Sequence, residues 1–183
     1  MFDGELIVCR NEESAVFEMP LSASWERFKS LDLSCLFPST VKSCSLLIPL
    51  GDSAKHTVEQ RVNILGVPYE AVAIEPSPFR CALATGSLRR VEYKDGAVFV
   101  YKVMEISELR HSIAFELIHS NSSMTVSGIV HIITLQAVTE TSSTFIHWET
   151  VFSGDADYNF YHDTKFKKLD AFKDLRLSLG FRV

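Results

Sequence analysis

The chain has 183 residues, 46% of them hydrophobic and 22% charged, a balance that excludes a disordered chain and suffices for one domain with a sizeable core. Its net charge of -5 lacks the basic footprint of nucleic-acid binding, so no nucleic-acid partner is expected. Cys9, Cys35, Cys44 and Cys81 form no C-x-x-C pair, the acidic start MFDGELIVCRNEE is unlike a signal peptide, and no apolar run nears the ~18 to 20 residues of a membrane span. These features point to a cytoplasmic chain with reduced thiols and no stable membrane insertion.

In chain order, SAVFEMP (14–20) reads as a strand stopped by Pro20. LSASWERFKSLD follows as a helix with Ser22 or Ser24 as cap and Leu21, Trp25, Phe28 and Leu31 on one side. LSCLFPSTVKSC holds a second short helix ending before Pro38, because a proline pushes the residue before it out of helical geometry. VKSCSLLIPLGD and HTVEQRVNIL read as strands joined around Gly51-Asp52. In the second, Val58, Val62 and Ile64 alternate with Thr57, Glu59, Arg61 and Asn63. VPYEAVAI and SLRRVEY are further strands, and Asp95-Gly96 is a hairpin turn. ELRHSIAFELI sends Leu109, Ile113, Phe115 and Leu117 to one face and Arg110, Ser112 and Glu116 to the other. After a turn at Asn121-Ser122-Ser123, MTVSGIVHIITLQAV runs apolar on both faces, and Glu140-Thr141-Ser142 turns into STFIHWETVF.

DADYNFYHDTKFKKLDAFKDLRLSLG returns to a helical period. Ser153 or Asp155 can cap it, and Asp155 and Asp157 suit its positive end. At about 100° per residue, Tyr158, Tyr161, Leu169, Phe172, Leu175 and Leu179 form an apolar stripe. Asp163, Lys167, Asp170, Lys173 and Asp174 lie opposite, and Gly180 ends the helix. Strand, two short helices, a run of antiparallel strands and one long helix make an α+β chain. Its sheet must cover its apolar face with that helix, and a curled sheet can leave a cavity beneath it.

This order, with FEMPLSASWERFKSLD at one end and TFIHWETVFSGDAD…KFKKLDAFKDL at the other, resembles the START/birch-pollen-allergen superfamily, the helix-grip fold. The similarity is to its polyketide cyclase/dehydrase-like and lipid-transport-like branch. Met19-Pro20 and the following Trp25 match an early strand that ends in a small element before a helix with an inward Trp. Trp148 and Phe152 match the penultimate strand. The irregular stretch from 75 to 93 departs from the compact succession of strands in that family. The resemblance implies one domain over 1–183, a curved antiparallel sheet wrapped around the C-terminal helix, and a hydrophobic cavity for a lipid, sterol, polyketide or other apolar ligand. Some members of the family are enzymes.

Chemical motifs are sparse. His147 and Glu149 alternate with Ile146, Trp148, Thr150 and Phe152 and are expected on the solvent face. Six histidines show no metal-ligand spacing, and no G-x-S-x-G, P-loop or G-x-G-x-x-G is present, so no metal, cofactor or catalytic residue is expected. His131 reaches the interior if Ile129, Ile133 and Leu135 face inward. Lys165 and Lys168 fall beside the apolar stripe, either snorkelling to water or offering a cation to an acidic ligand head.

The expected function is binding of an apolar small molecule or lipid. Phe115, Ile146, Trp148, Phe152, Tyr161, Leu169 and Phe172 would line the pocket, with His131, Gln60 and Tyr161 as polar groups and Lys165 at the mouth. The alternatives are a cyclase or dehydratase using a cavity His or Tyr, and a protein-interaction module like the co-chaperones of this fold.

Overall fold

The computed structural model describes residues 9–49, 61–64, 66–73, 83–121 and 126–178. Among them, β1 (Cys9–Phe17) leads into α1 (Leu21–Phe28) and α2 (Leu33–Leu36). The strands β2 (Val41–Pro49), β3 (Arg61–Ile64), β4 (Val67–Ala73), β5 (Leu88–Tyr93), β6 (Val98–Ser107), β7 (Ser112–Ser120), β8 (Ile129–Val138) and β9 (Ser143–Phe152) follow, and α3 (Tyr158–Ser178) comes last. The nine strands form one sheet in the order β1-β9-β8-β7-β6-β5-β2-β4-β3, with every pair antiparallel. The helix-grip architecture read from the sequence is the observed one. The Gly51-Asp52 turn, Ser122-Ser123, Gln60, Leu179 and Gly180 lie outside the described residues.

Local chemistry explains most boundaries. Asp32 caps α2 by accepting from the Ser34 and Cys35 amides at 3.1 and 3.4 Å, and the helix stops before Pro38. In the β5–β6 hairpin Gly96 sits at φ +89, a backbone region costly for a residue with a Cβ, while Asp95 accepts from the Ala97 amide. Leu31 falls just beyond α1 with φ 48, and this left-handed residue turns a fully buried side chain into the core. α1 has no side-chain cap: Pro20 holds the cap position, and the buried Ser24 donates instead to Thr144 Oγ1 at 3.0 Å. α3 is capped by Asp157, whose carboxylate accepts from the Phe160 amide at 2.7 Å. Asp155 is taken by the Ser127 amide and the Ser153 hydroxyl, so neither Ser153 nor Asp155 is the cap.

Alternation sorts the sheet into two faces. Ile113, Phe115 and Leu117 of β7, Ile129, Ile133 and Leu135 of β8, and Ile146, Trp148 and Phe152 of β9 enter one core with α1, α2 and α3. Leu47, Ile64, Leu88 and Val100 form a smaller cluster on the other face. β8 therefore has a buried row and a half-buried one, rather than two equivalent apolar faces. Leu109 does not join the β7 row; it sits in the β6–β7 turn, 91% exposed. Outward, His147 pairs with Glu12 at 2.9 Å and Glu149 with Arg10 at 3.4 Å.

α3 packs chiefly on β1 and α2, at the sheet's edge. Its buried residues are Lys168, Ala171, Phe172, Asp174 and Leu175. Two expectations fail there. Tyr158 is 75% exposed, outside the apolar stripe. Asp174, expected on the solvent face, is buried and accepts from the Ser39 amide at 2.9 Å, pinning the α2–β2 connection to the helix. Docking against the edge strand turns the buried face toward Ala171 and Asp174 and away from Leu169. No helix of the described residues is long and apolar enough to cross a membrane.

Candidate functional site

A cavity of about 490 Å³ lies between the inner face of the sheet and the middle of α3. Its sheet wall is Tyr93, Phe99, Tyr101, Phe115, Leu117, Ile129, His131 and Trp148. Leu33, Phe37 and Thr40 close it from α2 and the segment after it, and Phe160, Thr164, Lys168 and Ala171 from α3. The exposed charges Lys94 and Asp95 on the hairpin, with Lys167 and Asp170 on α3, line it where it meets solvent.

Strand register assembles the polar part of this wall. Phe115 lies opposite His131, His131 opposite Thr150, and Thr150 opposite Asn11, a row across β7, β8, β9 and β1. The His131 ring stacks on Phe115 with centroids 5.1 Å apart and meets Tyr101 edge-on at 5.8 Å. Its Nδ1 lies 3.0 Å from the Thr150 hydroxyl, and the Trp148 indole N–H donates to the same nitrogen at 3.4 Å. Trp148 in turn stacks on Phe37. Burial, and then the charge on Lys168, push the His131 pKa down to about 3, so the imidazole is neutral at physiological pH. Beside it, the Tyr93 and Tyr101 hydroxyls share a hydrogen bond of 3.2 Å, and burial raises Tyr93 to about 12 and Tyr101 well above its ordinary value.

Lys168 ends the row. Its ammonium donates to the Asn11 carbonyl at 2.9 Å, to the Asn11 side-chain oxygen, and to the Trp148 carbonyl at 3.1 Å. Asn11 Nδ2 then donates to the Tyr161 carbonyl at 2.9 Å. Desolvation lowers the Lys168 pKa to about 7, against the opposing pull of Glu13, Glu149 and Glu12. The side chain does not snorkel. Its charge is turned inward onto neutral oxygens, where it locks α3 to β1 and β9.

Of the residues expected to line the pocket, Phe115, His131 and Trp148 are in the wall. Ile146 is buried in the core near Trp148's strand neighbours, Phe172 packs on Phe17 and Trp148, and Phe152 packs on Phe160 and Tyr161. Leu169 is half-buried, and none of these four, nor Tyr161, belongs to the wall. Lys165 is not at the mouth; it lies 3.3 Å from Glu13 of β1. Lys165→Met is therefore expected to leave cavity binding unchanged and to cost under about 1 kcal/mol, as exposed ion pairs do; ligand titration and thermal melting check both. Phe37, Tyr93, Phe99 and Tyr101 are wall residues not expected from the sequence, while Lys168, weighed as a cation for a ligand head, lines the wall with its charge turned onto protein oxygens. The alternation of Phe99 and Tyr101 beyond the Asp95-Gly96 turn was a usable signal, whereas nothing in LSCLFP says which way Phe37 points. Among the described residues, no group of His, Cys, Asp and Glu converges as a metal site would require.

No family model and no curated protein matches this sequence. Solved structures do match it in shape. A protein from Nitrosospira multiformis is 18% identical with a TM-score of 0.66, over 95% of this chain and 97% of that one. Ara h 8.0201 is 15% identical with a TM-score of 0.60, over 94% and 98%. The ginseng major latex-like protein 151 from Panax ginseng is 14% identical with a TM-score of 0.61, over 93% and 97%. The chain thus has the helix-grip fold that these solved structures share.

Proposed function

We propose that the chain, acting as a single ligand-binding domain, holds an apolar small molecule or lipid between the sheet and α3 without transforming it. The observation that carries this reading is the cavity itself. Its 490 Å³ falls within the ~300 to 1,000 Å³ typical of small-molecule sites, and its sheet wall is mostly aromatic and aliphatic. Burying each large apolar group there is worth ~1.5 to 3 kcal/mol, enough to retain a ligand with few polar contacts. Members of this fold commonly bind hydrophobic ligands, which supports the same reading. A cyclase or dehydratase that relies on a cavity His or Tyr fits less well. An imidazole with a pKa of about 3 and phenols raised by burial are poorly matched to proton transfer near neutrality.

Native mass spectrometry of freshly purified protein is expected to find a co-purifying apolar molecule. Nile red, a neutral dye, is expected to enter the emptied cavity with a blue shift. Ala97, in the turn of the β5–β6 hairpin, also lines the cavity, and Ala97→Trp should weaken the dye about tenfold, equivalent to ~1.4 kcal/mol. Absence of both bound molecule and dye uptake would end the carrier reading.

A further inference from the structure

The polar groups of the wall point to a class of ligand. Trp148 Nε1–H donates to His131 Nδ1, and an indole nitrogen can only donate, so Nδ1 is an acceptor. The Thr150 hydroxyl on the same nitrogen must then donate as well, and the ring proton resides on Nε2. Among the described residues Nε2 has no protein acceptor. Nor is it one of the side-chain atoms sealed in protein without a partner. Because the His131 ring lines the cavity, that N–H is the donor it offers to a guest.

The positive charge that acts on His131 is that of Lys168, and it is already engaged by protein oxygens. Of the described wall residues, Lys168 is the one buried cation, and its three N–H groups are already spent on Asn11 and Trp148 oxygens. Lys94 and Lys167 are exposed at the mouth beside Asp95 and Asp170, and Lys167 pairs with Asp163 at 2.8 Å. A carboxylate reaching His131 would lose its water for one neutral hydrogen bond, a poor exchange. A carbonyl oxygen gives up far less water for the same bond.

We infer, building on the carrier reading, that the cavity selects a neutral apolar molecule bearing a hydrogen-bond-accepting oxygen, such as a ketone or aldehyde, over the carboxylate of matched shape. His131 is the residue that positions that oxygen.

The test is displacement of Nile red by acetylanthracene, ethylanthracene and anthracenecarboxylate at about pH 6, where the acid is ionised, His131 is neutral and Lys168 keeps its charge. The ketone is expected to bind about tenfold tighter than the ethyl compound, and the carboxylate weakest. His131→Phe should bring the ketone to the level of the ethyl compound, and His131→Gln, which keeps a neutral donor, should retain part of the preference. The comparison in the unmodified protein stands even if either variant fails to fold. Dye binding with equal competition by all three, or a carboxylate preferred to the ketone, overturns the inference while leaving the carrier reading intact. If neither the dye nor any of the three binds, both fall.

Discussion

Asn11→Leu is expected to destabilise the protein by ~3 kcal/mol and to lower its melting temperature by roughly 6 to 12 °C. Asn11 is a buried polar residue on an edge strand, and its side chain does two jobs. Its oxygen accepts from the Lys168 ammonium, and its Nδ2 donates to the Tyr161 carbonyl. Leucine removes both bonds and leaves a buried cation one acceptor short, the costlier of the two losses. Lys168→Met fails differently: it removes the charge but strands the Asn11 and Trp148 oxygens, at ~2 kcal/mol. Because each single change harms the other's partner, the double variant should cost ~1 to 2 kcal/mol less than the sum. Denaturant titration of the four proteins reads this coupling. Strict additivity would mean that Lys168 and Asn11 do not act as one lock between α3 and β1.

Stability should climb with pH through two separate windows. His131 has a pKa of about 3 in the folded chain and 6.5 when unfolded. Between those values the unfolded chain takes up a proton that the folded chain refuses, so acidification favours unfolding, by up to about 5 kcal/mol across the whole window. Lys168 has a pKa of about 7 folded and 10.5 unfolded. Above neutrality the unfolded chain again holds more protons, and raising the pH favours the fold. Melting temperatures across pH are expected to rise in both ranges. His131→Gln should flatten the acid limb, since its amide oxygen can accept from Thr150 and Trp148 without titrating, and Lys168→Met should remove the alkaline limb and make the acid limb shallower, because it takes away the charge that helps depress His131. An acid limb unchanged in His131→Gln would mean that other groups control acid unfolding.

Periodicity made several elements readable before any coordinates. Ile113, Phe115 and Leu117, or Ile146, Trp148 and Phe152, can only share a face when the backbone alternates, and Pro38 and Asp95-Gly96 mark their boundaries by local sterics alone. Leu109 misled because alternation was carried through a turn, where it has no meaning. Tyr158 and Asp174 misled because a helical wheel orders residues around an axis without saying how the helix is rotated against its neighbours.

The amino-acid order by itself determined the succession of strands and helices, the inward rows of the sheet and hence the helix-grip fold, because these follow from backbone geometry and side-chain size within a few residues. Only the tertiary structure decided which residues meet. The row Phe115–His131–Thr150–Asn11 depends on the register of four strands, and the inward turn of Lys168 depends on acceptors in β1 and β9, 157 and 20 residues away. Contacts at such separations are set by the summed packing of the whole sheet against α3, which no local pattern encodes.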